Sequence, residues 1–195
     1  MDIDPKDVIA TAHSAKDRLN ATVAITVAVL ATFMGICKVK DDNIVQAMQQ
    51  AQADKLDHWA YYQARNIRQE VAEAAATQIE LARLSAPAAT QAAHESALVR
   101  YRGIAQDQAK KKDELKAQAE QDQKTYDALN YRDDQFDLSD ALLAIAIALL
   151  AVTALTQLWP LYWAALVPTF FGVLMGVAGL TALPIHPDAL VKLLS

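Results

Sequence analysis

A chain of 195 residues has room for about one ordinary domain, and 53% hydrophobic residues with only 5 glycines and 6 prolines favour helix over sheet. The formal net charge is −5 and no stripe gathers Lys and Arg, which excludes nucleic acid as a partner, because phosphate binding needs clustered cations to displace counterions. The charges are also segregated: Asp, Glu, Lys and Arg are absent from 21–37 and from 141–185 and crowd into the rest, the layout of a membrane protein.

Residues 1–19 read as an amphipathic N-terminal helix. Asp4-Pro5-Lys6-Asp7 is a good helix start, and Val8, Ala12, Ala15 and Leu19 then share one apolar face suited to a membrane interface. Residues 20–37 read as the first transmembrane helix: the uncharged run between Arg18 and Lys38 just reaches the roughly 20 residues that a bilayer span needs. A secretory signal peptide fits poorly, because the leader is acidic and no small-residue cleavage site precedes Lys38.

Residues 38–138 read as an extramembrane helical hairpin. Asp41 or Asp42 is placed to cap a helix running to about Leu84; LSAPAAT at 84–90 supplies the turn, and a second helix follows from about 88 to 136. Apolar or small residues step along the first arm as Leu56, Ala60, Ile67, Val71, Ala74 and Leu81, with Gln63 and Gln78 among them. Along the second arm they are Tyr101, Ile104, Leu115, Ala119, Leu129 and Phe136. Both rows lie near the period of a coiled coil. A turn near 86 sets position 60 opposite roughly 113, so the aromatic cluster Trp59, Tyr61 and Tyr62 meets Lys110, Lys111 and Lys112. Lysine stems cannot bury three rings. The cluster, with Arg65 beside it, is therefore expected to anchor neighbouring hairpins of a homo-oligomer; intrachain packing with exposed tyrosine hydroxyls is the competing reading.

The second transmembrane helix is expected over 139–158, with Ser139 as its cap, and the third over 161–183 with Pro168 inside it. Pro160 breaks the uncharged stretch between them, and Trp159, Tyr162 and Trp163 suit a headgroup layer. Each span carries small residues on one stripe. These are Ala24, Ala28, Ala31 and Gly35 in the first, Ala144 and Ala148 in the second, and Gly172, Gly176 and Gly179 in the third. Small residues allow the close backbone approach that holds helices together in lipid, and Gly172-x-x-x-Gly176 is the most specific of these signals. Residues 184–195 form a C-terminal tail, in which Pro187 to Ser195 reads as a short helix resting on the membrane.

The segment Asp57, His58, Trp59, Ala60, Tyr61, Tyr62, Gln63, Ala64, Arg65, Asn66, Ile67 and Arg68, following a transmembrane helix and a short linker, resembles the hallmark of a bacterial membrane family, domain of unknown function 4337. The likeness extends to the two closing spans. It implies a small multi-pass protein of the bacterial inner membrane with no assigned activity, and so it brings no catalytic residue. In that family the turn between the last two spans is often basic, whereas Gln157 to Trp163 carries no charge here. The cations flanking the first span balance one another, so the positive-inside rule selects neither orientation; a periplasmic hairpin rests on the resemblance alone.

Chemistry is sparse. His13, His58, His94 and His186 occur singly, without metal-ligand spacing. Cys37 is the only cysteine, which excludes an intrachain disulfide, and no phosphate-binding glycine loop is present. The chain reads as an all-α membrane protein and not an enzyme, with no catalytic, cofactor or metal site. Its expected partners are itself, the bilayer and other membrane or envelope proteins. The expected role is a homo-oligomeric, membrane-anchored helical stalk or scaffold. The alternative is a pore or small transport component lined by Thr22, Thr26, Thr153 and Gln157, although threonine often bonds back to its own helix and the span centres lack ionisable residues.

Overall fold

The structure, a computed structural model, describes residues 5–185, with side chains described from residue 16 onward. The apolar face expected over Val8, Ala12 and Ala15 lies outside the described side chains, as do His13 and His186, and of the tail expected over 184–195 only Pro184 and Ile185 are described. Among the described residues every regular element is a helix: α1 (Pro5–Leu84), α2 (Ala88–Thr156) and α3 (Trp159–Thr181).

The two long helices are continuous, which differs from the expected division into spans and arms. Residues 38–84 contain neither Gly nor Pro, and 88–156 contain only Gly103, so nothing interrupts the backbone ladder where polarity changes. Asp41 and Asp42, expected as a cap, lie in mid-helix. Lys38 Nζ reaches Asp41 at 2.8 Å and Asp42 at 3.5 Å, at the three- and four-residue spacings that support a helix. Ser139, also expected as a cap, lies in mid-helix as well.

The chain does break where its backbone chemistry demands it. Pro87 precedes α2, and Thr90 donates its N–H to the Pro87 carbonyl at 2.9 Å; a proline ring disfavours helical geometry at the residue before it, and α1 stops at Leu84. Between α2 and α3 only two residues intervene. Gln157 adopts a left-handed conformation with φ 59, Leu158 is extended, and Pro160 sits in the first turn of α3, where a missing N–H costs nothing. Pro160 therefore starts α3. At its other end Ala182 turns left-handed, and Leu183 N–H closes on the Ala178 carbonyl at 3.0 Å, a helix stop of the Schellman kind.

The chain divides into two compact units, Met1–Gln46 with Ala128–Ser195, and Ala47–Asp127. In the first, the core is Leu19, Val23 and Leu30 of α1, Leu143, Ala146 and Leu150 of α2, and Ala165 of α3, with Val27, Phe33, Met34 and Tyr162 packed against it. The outer surface of this unit is apolar too: Ile25, Val29, Ile36, Ile145, Val152, Val167 and Phe170 are exposed. Helices that are apolar all round belong in a lipid environment or in the core of a large protein. Each of the three helices is long and apolar enough to cross a membrane.

In the second unit, α1 and α2 segments run antiparallel. The pairs that fix the register are Lys55 with Gln123 (2.7 Å), His58 with Asp122 (2.6 Å), Asn66 with Lys112 (3.0 Å) and Glu80 with Arg102 (2.8 Å). Position 60 therefore faces roughly 118, about five residues beyond the register expected from a turn at 86.

Candidate interaction site

Among the described residues, every fully buried residue of α1 falls on one series. From Leu19 the steps are fours and threes through Val23, Thr26, Leu30, Phe33, Cys37, Asp41, Ile44, Met48 and Ala51, with two fours in succession at Phe33, Cys37 and Asp41, and continue through Lys55, His58, Tyr62, Arg65, Gln69, Ala72, Ala76 and Ile79 to Arg83, none of them exposed. A matching series runs along α2 from His94 through Leu98, Ala105, Gln108, Ala119, Asp133, Phe136 and Leu143 to Ala154. These are the a and d positions of a coiled coil. The first-arm seam expected from Leu56, Ala60, Ile67, Val71, Ala74 and Leu81 is displaced from it: all six are exposed. Most of the residues that do face α2 in this arm are small or polar, with Met48 and Ile79 among the exceptions, and sequence polarity alone points to the wrong face. On the second arm Tyr101, Leu115, Ala119, Leu129 and Phe136 lie on the protected series, while Ile104 is 36% exposed.

The aromatic cluster divides between these faces. Tyr62 is on the seam with Lys112 Nζ 5.9 Å from its ring centroid, within reach of a cation–π attraction. Trp59 packs edge-on against Tyr62 at 5.3 Å between centroids. Arg65 Nη1 donates to Gln108 Oε1 at 3.0 Å. Of the four residues expected at an intersubunit contact, Tyr61 alone points outward, 62% exposed. His58, expected as an isolated surface residue near Asp54, instead meets the Asp122 carboxylate of α2. Its signal in the sequence is its place three and four residues from Lys55 and Tyr62.

In the first unit the glycine face of α3 is the tightest packing. A Cβ added at Gly172 would lie 2.8 Å from Leu143 Cγ, one at Gly176 2.7 Å from Phe33 Cε1, and one at Gly179 2.9 Å from Phe136 Cζ. Side chains of α1 and α2 thus reach the α3 backbone at points where only glycine leaves room, which is the use of small residues in lipid. Ser139 Oγ donates to the Gly172 carbonyl at 2.8 Å inside this contact. The other two stripes face outward. Ala24, Ala28, Ala31 and Gly35 are exposed, and nothing lies within 4 Å of a Cβ placed at Gly35; Ala144 and Ala148 are exposed as well. Large residues one helical position away fill the seam instead. Ala28 lines a shallow apolar groove with Ile25, Val29, Thr32, Phe33 and Ile36.

The residues considered as pore-lining make bonds within the protein. Thr22, Thr26 and Thr153 each donate to the carbonyl four residues earlier at 2.8 Å. Thr26 Oγ1 also lies 3.2 Å from Tyr162 Oη, and Gln157 Nε2 donates to Asn20 Oδ1 at 2.8 Å and to the Ala154 carbonyl.

Where the apolar stretches of α1 and α2 give way to charge, the seam holds carboxylates. Asp41 is buried, 4% exposed, with one carboxylate oxygen on Lys38 Nζ at 2.8 Å. Asp133, on the seam of α2, is pushed up to about 7 by burial first, then by a hydrogen bond with Asp41 and by the neighbouring carboxylates of Asp137, Asp41 and Asp134. Such a rise is what one proton shared between two carboxyls produces. Asp137 is raised as well, by burial and by the charge of Asp41, while the same Asp41 raises Lys38 further above its ordinary value. Next to this cluster Arg132 donates from Nε (3.2 Å) and Nη2 (2.8 Å) to the Gly179 carbonyl, and buried Gln135 donates to the carbonyls of Leu183 (2.8 Å) and Ile185 (2.7 Å). These side chains satisfy the free carbonyls at the end of α3. No three of His, Cys, Asp and Glu converge as metal ligands among the described residues.

The fold and its surfaces thus define a class: an all-helical protein with three helices long and apolar enough to cross a membrane, built on a heptad seam with a glycine face. The chain belongs to the family described as domain of unknown function (DUF4337), whose model matches residues 19–182. No curated protein and no solved structure matches it.

Proposed function

We propose that the protein is a homo-oligomeric, membrane-anchored helical scaffold of the bacterial inner membrane. In this reading the chain crosses the bilayer three times, through the apolar stretches of α1, α2 and α3. The unit Ala47–Asp127 stands in water as a helical hairpin, on the periplasmic side, and provides contacts to other copies and to other envelope proteins.

One observation carries the reading: along the uncharged stretches of the first unit the exposed side chains, among them Ile25, Val29, Ile36, Ile145, Val152, Val167 and Phe170, are apolar, while the interior is filled by seam residues and by side chains closing on glycines. Lipid accounts for such an outside. A filled interior serves anchorage and leaves no room for turnover of a substrate. The pore reading gains nothing from its candidate residues, whose hydroxyl and amide groups are spent on protein carbonyls and on Asn20.

The test is the mass of the detergent-extracted protein by native mass spectrometry, corrected for bound detergent. A defined multiple of 21.3 kDa supports the scaffold reading. A monomer at every concentration tried overturns it, and ion flux in liposomes that disappears in Thr26→Leu would instead favour the pore.

A further inference from the structure

We propose that the outer face of α1 between Ala60 and Leu81 is the docking surface for α1 of a second copy of this chain, the two helices lying parallel and in register. The inference rests on the scaffold reading, because two copies inserted in one bilayer with the same orientation run their α1 helices in the same direction.

A second heptad row lies on this face. Ala60, Ala64, Ile67, Val71, Ala74, Gln78 and Leu81 follow one another in steps of four and three. They sit on the side of the helix away from the seam residues Tyr62, Arg65, Gln69, Ala72, Ala76 and Ile79. Ile67, Val71 and Leu81 are 61%, 63% and 62% exposed. Two properties show that this row is not a lipid-facing stripe. Arg68, Glu70 and Glu73 are interleaved with it, at a cost in hydrocarbon of roughly 2.5 to 3.5 kcal/mol for each charge near a span centre. The face of α2 turned away from the seam in the same unit is also dressed for water, with Asp107, Lys110, Lys111, Asp113, Glu114 and Lys116. Only one side of the helix pair is left apolar.

The occupant follows from shape and size. A heptad row is complementary to another heptad row, and with the two-fold symmetry of a homodimer the same row meets itself. Small residues at Ala60, Ala64 and Ala74 allow close approach, Ile67 and Val71 supply the large knobs, and Gln78 would meet Gln78 of the partner, a single polar layer of the kind that sets register. Beside the row, Ile67, Val71, Tyr101 and Ile104 line a groove of about 270 Å³ that receives a side chain of the second helix. The row spans about 20 residues, or about 30 Å; extended to the exposed Leu56 and Leu84 it reaches about 42 Å. With roughly half the circumference of a helix about 10 Å across, that amounts to roughly 650 Å² per partner, near the roughly 800 Å² of a standard stable interface.

The test uses the full chain in nanodiscs with Cys37→Ala, so that an introduced cysteine is the only thiol. Val71→Cys should oxidise to a disulfide-linked dimer and Lys111→Cys, on the far face of α2, should not; a disulfide requires Cβ atoms about 3.8 Å apart. Ile67→Glu with Val71→Glu should weaken association on the order of tenfold or more, with helix content by circular dichroism unchanged because both residues are exposed in the single chain. An oligomer by mass in which Val71→Cys fails to cross-link, or cross-links no better than Lys111→Cys, overturns this surface and leaves the scaffold reading standing. A monomer by mass overturns both. With benzophenone-alanine at position 71, an adduct of twice the chain mass supports the second copy; a phospholipid adduct or a band of another mass assigns the face to the bilayer or to a foreign protein and overturns the proposal.

Discussion

Replacing Gly176 by alanine probes the contact that ties α3 to the rest of the first unit. The new Cβ would sit 2.7 and 2.8 Å from Phe33 Cε1 and Cζ and 2.8 Å from Ser139 Oγ, whereas carbon atoms rest about 3.5 to 4.0 Å apart. The Phe33 ring is half-buried and has room to swing. Ser139 does not, because its hydroxyl is held by the Gly172 carbonyl at 2.8 Å. Overpacking of this kind costs about 1 to 3 kcal/mol, and exchanging glycine for alanine within a helix returns up to about 1 kcal/mol, so a net loss of about 1 to 2 kcal/mol is expected. Gly35→Ala is the matched control. It has no neighbour within 4 Å, so only the helix-propensity gain applies. The propensity gain is common to both, so the overpacking of about 1 to 3 kcal/mol separates their melting, followed by tryptophan fluorescence in nanodiscs, by about 2 to 12 °C, at about 2 to 4 °C per kcal/mol for a chain of this size. Equal melting temperatures, or a Gly35→Ala variant less stable than Gly176→Ala, would refute the packing argument.

Further predictions concern the charged groups. Asp133 is protonated more readily in the fold than in the open chain, so the native state binds the extra proton between the ordinary carboxylate value and about 7; stability is full at the low end of that window and falls as pH rises through it. Discounted for solvent screening at a partly exposed group, the loss is on the order of 1 to 2 kcal/mol; Asp133→Asn should flatten the pH 5 to 8 profile, and an unchanged slope would count against the shared proton. Arg132→Met removes both donors to the Gly179 carbonyl and should cost about 1.5 to 3 kcal/mol, seen as faster hydrogen exchange at the end of α3, whereas unaltered exchange there would contradict the capping role. A double-mutant cycle of His58→Ala with Asp122→Ala should return a coupling of about 0.5 to 1.5 kcal/mol that weakens with salt; zero coupling would mean the 2.6 Å contact adds nothing to the helix pair.

The helical character, the turn at Pro87, the start of α3 at Pro160 and the glycine face are legible in the sequence because each has a strong local cause: composition, a missing amide hydrogen, or a spacing of four between glycines. The seam of α1 beyond Ala51 is not, because hydrophobicity favours Leu56, Ile67, Val71 and Leu81 whereas the chain pairs through Lys55, His58, Tyr62 and Arg65. Polar seam residues are identified only by the partners that satisfy them, and Gln108, Asp122 and Gln123 lie more than 40 residues away in the chain. The small-residue stripes of α1 and α2 lie outside the intrachain contacts for a related reason. Alanine is compatible with close packing without requiring it, and in these helices larger residues fill the seam. Asp41 and Asp133 are visible individually as acidic residues near the ends of apolar runs, but their meeting depends on the register of two long helices, one of which takes two fours in succession at Phe33, Cys37 and Asp41.

The proposed arrangement, three crossings of the bilayer with Ala47–Asp127 in water, predicts the pattern of single-cysteine labelling in sealed vesicles with a membrane-impermeant maleimide in a Cys37→Ala background. Lys111→Cys and Gln157→Cys should label from opposite sides of the membrane, and Val29→Cys, exposed on the outside of its helix but within the first span, should not label from either. Labelling of positions 111 and 157 from the same side, or ready labelling of position 29, would contradict it.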